Sequence, residues 1–200
     1  MRRRVTRSVC YEAVVDLLDA LDVATSEFRA RLATIDAAQW GAPTPCDDWD
    51  VRYLVAHVVG GHQFASLVLD GSSAGDAFGA VMASPVLGPD PLLDHDDMVA
   101  RQRLGFRRPG SLSSMVDHPA GPISGADFLA MRVYDVTVHA WDLARATGGD
   151  EQLDGELADA ALAAAAALED GLGFGIVPVG ATSADDPALA RLLDLSGRQL

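Results

Sequence analysis

The chain has 200 residues, 49% of them hydrophobic, which suffices for one compact domain with a substantial core. Its 29 acidic residues stand against 15 basic ones, all arginine, for a formal net charge of -14. So acidic a surface repels phosphate backbones and anionic membranes, which argues against nucleic acid or a lipid surface as partner.

Arg2, Arg3, Arg4 and Arg7 imitate the charged end of a signal peptide, but Glu12, Asp16 and Asp19 follow where an apolar segment is needed. No apolar run is long enough to cross a bilayer, and the alanine-rich stretch 160–168 is too short. Cys10 and Cys46 are too few for a disulfide framework and read as reduced thiols. The expectation is a soluble, cytoplasmic protein.

From Val9 to about Ala37 the apolar residues Val14, Leu17, Leu21, Phe28, Leu32 and Ile35 mostly follow three- and four-residue steps, predicting one long amphipathic helix. Pro43 and Pro45 break it, and Asp50 is placed to cap a second helix that runs to about Asp70 and stops at Gly71. Residues 71–91 read as a loop with a short helical turn near Phe78 to Met82. A helix is expected from Pro91 to Phe106, then a connector from Ser111 to Ile123 with no hairpin signal. Strong helix signals return from Ser124 to Thr147, with Gly148 as the stop. Another helix runs from an Asp154 cap to about Leu172, followed by an extended piece over 174–182. Asp186 and Pro187 open a short last helix that ends at Gly197. The fold class is all-α, most simply a helical bundle.

Two of these helices carry histidines in a pattern that could bind a metal. Asp135 and His139 are four residues apart and share one helix face, with Asp142 on the same stripe. His57 lies mid-helix on the other element. If the two helices are neighbours, two imidazoles and a carboxylate meet in the bundle core, a donor set suited to zinc, nickel or iron(II) with positions left for water or substrate. The bland reading is an exposed ion pair or a satisfied core hydrogen bond, since acids are abundant here. His62, His95 and His118 are rival ligands. His95 reads as part of a solvated acidic helix start, and His118, before a proline, as a surface residue.

The stretch 43–61, PTPCDDWDVRYLVAHVVGG, and the stretch 138–148, VHAWDLARATG, resemble two helix signatures of actinobacterial DinB-like metal-binding proteins related to the mycothiol-dependent maleylpyruvate isomerases. The resemblance extends over nearly the whole chain, is weakest from Gly71 to Gly110, and includes the closing segment Leu192 to Arg198. It implies a DinB-type four-helix bundle, with a short C-terminal extension and helix, in a single domain spanning 1–200. It also implies a divalent metal, zinc before nickel or iron, on His57, Asp135 and His139. Asp135 stands where the isomerases have Glu, and those enzymes carry a further C-terminal domain that this chain is too short to contain.

The chemistry implied is that of a metal-dependent thiol transferase or isomerase acting on a small electrophilic metabolite, with mycothiol as cosubstrate. A thiol-independent cyclase, hydrolase or lyase on the same scaffold, or a non-enzymatic metal-binding bundle, remain the alternatives, as does a homodimer through an exposed helix face. Among the arginines, Arg52, Arg132, Arg145 and Arg198 can grip a carboxylate or make structural ion pairs. Arg198, just past a helix stop, is the first candidate substrate contact. Gly60 and Gly61 either leave room for substrate or permit close helix packing. Cys46 is read as structural, because Asp47, Asp48 and Asp50 oppose an anion on its sulfur. Trp49 and Trp141 serve as helix anchors or pocket walls.

Overall fold

A computed structural model describes residues 6–83, 87–167 and 177–199, with side chains from Leu17 onward. The helices are α1 (Thr6–Leu32), α2 (Val51–Leu69), α3 (Ala74–Met82), α4 (Pro91–Arg107), α5 (Gly125–Thr147), α6 (Gly155–Ala167) and α7 (Ala188–Leu195). Four of them close a ring: α1 packs on α5 and α4, and α2 packs on α4 and α5. This is the expected all-α, DinB-like helical fold, with α6 laid against α5 and α1, α7 against α6, and α3 against α2.

α5 is the hub, and its composition explains why. It is buried on nearly every side, with Phe128, Leu129, Val133, Val136 and Leu143 in the core, as expected of a helix whose apolar residues are not confined to one stripe. Local signals hold its ends. The Ser124 hydroxyl accepts from the Asp127 amide at 3.1 Å, and Gly148, at φ 67°, turns the chain out of the helix. In α2 the Asp50 carboxylate accepts from the Tyr53 amide at 2.8 Å, as the sequence suggests. On α6 the buried face is Leu157, Ala158, Ala161, Ala164 and Ala165, small enough to let helices approach closely.

Several expectations need correction. The first helix ends at Leu32, not Ala37, because Thr34 and Ile35 already make turn bonds to Arg31 and Leu32. The segment expected to hold one helical turn is a full helix, α3, capped by Ser73 accepting from the Asp76 amide at 3.0 Å. The connector contains a small hairpin, β1 (Met115–Val116) paired antiparallel with β2 (Ile123–Ser124). Strands of two residues are too short to leave an alternating pattern. Asp186 does not cap α7. Its carboxylate accepts from the Ser183 amide and hydroxyl at 2.7 and 2.9 Å instead, closing the preceding turn. The expected end of the sixth helix at Leu172, and positions 174–176 of the extended piece, lie outside the described residues.

Candidate metal centre and cavity

The chain between α1 and α2 turns back sharply. Asp48 adopts φ 63°, the Thr44 amide donates to the Trp49 carbonyl at 3.0 Å, and the Val51 amide to the Ala42 carbonyl at 3.0 Å. This turn lays Trp49 over the inner face of α2 and α5. Its ring centroid is 4.8 Å from that of His57 and 5.7 Å from that of His139.

The packing of α2 on α5 brings together the three residues singled out in the sequence. His57 Nε2 and His139 Nε2 lie 3.4 and 3.3 Å from the same oxygen, Asp135 Oδ1, and one donor atom from each of the three fits within 4.8 Å of the others. Ligand atoms about 2.0–2.2 Å from a tetrahedral ion stand roughly 3.3–3.6 Å apart, so the spacing suits a small divalent cation. His57 is the open side, with 38% of its side chain exposed, whereas His139 is buried.

The donors are held by their neighbours. His139 Nδ1 lies 2.9 Å from Asp142 Oδ2, and Asp142 is 0% exposed. A carboxylate on Nδ1 fixes the tautomer that presents Nε2 to a metal and raises the basicity of that nitrogen. Asp142 is in turn gripped by Arg198, whose Nε and Nη2 donate to its two oxygens at 3.1 and 2.7 Å. On the other side, Arg132 Nη1 donates to Asp135 Oδ2 at 2.6 Å, leaving Oδ1 toward the imidazoles. Burial opposes charge on Asp135, His139 and Asp142, yet the partners prevail for all three, with His139 and Arg198 holding the Asp142 carboxyl below its usual range. Arg132 and His139 hold the Asp135 carboxyl well below its usual range, and Asp135 with Asp142 holds the His139 imidazole well above its own.

A second set, Cys46, His139 and Asp142, also brings donor atoms together. Arg198 fills that position. Its Nη2 donates to Cys46 Sγ at 3.2 Å as well as to Asp142, so a guanidinium already supplies the positive charge. Arg198 was expected at the substrate; its fork is spent on Asp142, and Nη1 donates to the Ser196 carbonyl at 2.6 Å. Gly197, at φ 74°, makes the bend that returns Arg198 to this point. Arg52 and Arg145 lie over the rings of Trp40 and Trp141, and Trp141 is core, not pocket wall.

The rival histidines fare differently. His95 is 1% exposed, stacked on Phe28 with centroids 5.7 Å apart, which corrects its reading as part of a solvated helix start. Helical rotation points it inward while Asp96 faces Arg29 at 2.8 Å. His62 is also buried, its Nδ1 3.1 Å from Arg132 Nη2. His118 is only partly at the surface. The hairpin places it, half-buried, against Phe64 and Phe128, in the wall of a cavity of about 490 Å³ that opens beside His57 and Asp135. Gly60 and Gly61 line this cavity too, so the expectation of space near His57 is met. Gly61 also serves packing, since a Cβ there would stand 2.6 Å from Arg132 Nη1. Sequence reasoning missed Asp142 as the anchor of His139, although its position three residues on was the available signal.

Comparison with known proteins bears on the fold and the family. The family profile described as the mycothiol maleylpyruvate isomerase N-terminal domain matches residues 21–144. Two uncharacterised proteins of Mycobacterium tuberculosis, from strains CDC 1551 / Oshkosh and ATCC 25618 / H37Rv, are each 39% identical over 155 residues, spanning 77% of this chain and 80% of theirs. The crystal structure of the mycothiol-dependent maleylpyruvate isomerase superposes with a TM-score of 0.61 at 21% identity, over 77% of this chain and 68% of that one. A histidine-to-alanine mutant of that enzyme superposes with a TM-score of 0.62 at the same identity and coverage. Among the described residues no helix is long and apolar enough to cross a membrane. The chain belongs to the mycothiol maleylpyruvate isomerase N-terminal domain family.

Proposed function

We propose that this chain is a single-domain, cytoplasmic, metal-dependent thiol transferase or isomerase, with mycothiol as cosubstrate and a small electrophile as substrate. The observation that carries the reading is the convergence of His57 Nε2, Asp135 Oδ1 and His139 Nε2 at one point on the cavity's edge. Three protein ligands leave a fourth position for an incoming group, as catalytic zinc sites do and closed structural sites do not. A divalent ion there supplies a lowered thiol pKa, so that the reactive thiolate forms at neutral pH.

The remaining work falls to the side chains. Asp142, held by Arg198, keeps the His139 ring in its ligating tautomer. Arg132 fixes one oxygen of Asp135 and offsets its charge. Trp49 covers both imidazoles and keeps water from that side. The thiolate then has an activated double bond within the cavity: a C–S bond forms, the π pair moves onto the adjacent carbonyl, and rotation about the new single bond followed by loss of the thiolate returns the isomerised alkene. When the thiol's proton is delivered to the α-carbon instead, the product is the thioether. Membership of a family described by a mycothiol isomerase supports the thiol.

The test is the double variant His57→Ala/His139→Ala of protein purified without a histidine tag. Elemental analysis is expected to find about one metal per chain in the parent and almost none in the variant, with thiol-dependent turnover of a maleyl substrate lost in parallel. Full metal occupancy in the variant overturns the site. Metal-dependent turnover that needs no thiol replaces the transferase reading with that of a hydrolase or lyase.

A further inference from the structure

The wall of the cavity carries chemistry that a dicarboxylate does not satisfy. The lining includes Phe64, Phe78, Val81, Met82, Phe128 and Met131, and the volume of about 490 Å³ lies within the range of small-molecule sites. Among the described residues Arg132 is the one arginine in the lining, and each of its nitrogens is committed. Nε donates to Gln102 Oε1 at 3.2 Å, Nη1 to Asp135 at 2.6 Å, and Nη2 meets His62 Nδ1 at 3.1 Å. Arg198 is likewise spent on Asp142.

Three side chains of the lining are neutral and polar, Tyr53, Tyr134 and His118; the Tyr134 hydroxyl donates to Ser196 at 3.0 Å, Tyr53 is 56% exposed, and the His118 ring is suited to a carbonyl. His118 Nδ1 accepts from the Ala120 amide at 3.2 Å, which places the ring proton on Nε2. Burial lowers the pKa of this ring against the weaker pull of Asp117, so it serves as an uncharged donor at neutral pH. Its neighbours are the rings of Phe64 and Phe128.

We propose that the cavity binds an uncharged electrophile with a bulky apolar body and a carbonyl group, such as an unsaturated ester or ketone, in preference to a dicarboxylate. The assignment of this ligand as substrate rests on the metal and thiol reading above. The apolar body lies among Phe64, Phe128 and Met131, with Phe78 and Met82 of α3 at the rim, and His118 Nε2–H faces the carbonyl oxygen. The reactive carbon then lies toward His57 and Asp135, where the thiol is activated. A carboxylate placed among Phe64, Phe128 and Met131 loses its hydration and meets in the described lining an arginine already paired with Asp135.

The experiment titrates the protein as purified with N-phenyl-1-naphthylamine, an uncharged probe that fluoresces in apolar sites, and challenges the complex with dibutyl maleate or sodium maleate. The expected result is saturable binding at one site per chain, displaced by the ester and not by an excess of the dianion. Met131→Glu is expected to weaken probe binding about ten-fold, because a carboxylate enters an apolar wall. Should that variant fail to fold, Phe78→Asp, at a residue 58% exposed on the rim, is expected to weaken binding roughly three-fold. Absence of saturable binding, displacement by maleate as readily as by the ester, or undiminished binding in the folded variant overturns the proposal. Because the measurement needs neither metal nor thiol, a chain that binds the probe without thiol-dependent turnover fails only the catalytic reading. A chain that turns over maleate while rejecting the probe fails only this one.

Discussion

His57 and His62 lie on the same face-to-face contact of α2 with α5, yet their settings are opposite. His57 meets a carboxylate and a second imidazole at the open edge of a cavity. His62 is sealed, its ring 5.4 Å from that of His95, and its nearest charge is the Arg132 guanidinium. One arginine separates the two settings, giving Nη1 to Asp135 and Nη2 to His62. One histidine pair gathers around a carboxylate, the donor set that would suit a cation, and the other is a neutral part of the core beside a guanidinium. The ring edges His62 Nε2 and His95 Nε2 lack any hydrogen-bond partner among the described residues, which fits neutral imidazoles kept from solvent.

The comparison breaks most readily at the shared guanidinium. Arg132→Met removes the partner of Asp135 Oδ2, Gln102 Oε1 and His62 Nδ1 together. Removing one member of a buried ion pair strands the other, and the expected loss is about 3 kcal/mol of unfolding free energy, read by urea denaturation of the metal-free protein. A loss under about 1 kcal/mol, the size of an exposed pair, shows that Arg132 does not couple the two histidine settings.

A finer change isolates the metal-facing side. Asp142→Asn keeps the size of the side chain and removes the charge that orients His139 and anchors Arg198. Loss of such an outer partner costs about 10–100-fold in metal affinity, which competition with a chromogenic chelator measures directly. Unchanged affinity places the determinants of the site in His57, Asp135 and His139 alone.

The ring of helices and the two histidine segments were legible because they depend on local chemistry. The 3.6-residue period, the Asp50 and Ser124 caps and the Gly148 stop survive in sequence whatever packs around them. The partners of the site were less legible. Arg198 reaches Asp142 from the far end of the chain, and Trp49 reaches the imidazoles only because Asp48 takes a left-handed turn. The position of His95 is hidden for a related reason. Its three acidic neighbours suggest solvent, but a helix can leave Asp97 exposed and Asp94 and Asp96 half-buried while turning the residue between them toward Phe28. His118 depends on a hairpin too short to announce itself.

Protonation separates the two histidine settings further. Burial, reinforced by Arg132 and His95, holds the His62 imidazole well below 6.5, and burial also lowers His95. Below pH 6.5 the unfolded chain takes up protons that these folded rings refuse, so their contribution to stability falls as pH falls, by about 1.4 kcal/mol per unit for each ring while the difference is complete. In the metal-free protein His139 behaves in the opposite sense. Its folded value is raised well above 6.5, so its contribution is whole below 6.5 and is lost as pH rises through the folded value. Asp135, depressed well below 3.8, contributes above that value and fails only in stronger acid. Thermal unfolding of the metal-free protein between pH 4.5 and 6.5, a window bounded by about the ordinary carboxylate and histidine values, therefore reads His62 and His95, together with the half-buried His118, which burial also lowers. His62→Gln is expected to flatten the acid limb of the Tm profile in that window, and His139→Gln to flatten the limb above it. If the His62 variant leaves the acid limb unchanged, that ring is protonated in the fold, and its place beside Arg132 needs a counter-charge that the packing around it does not provide.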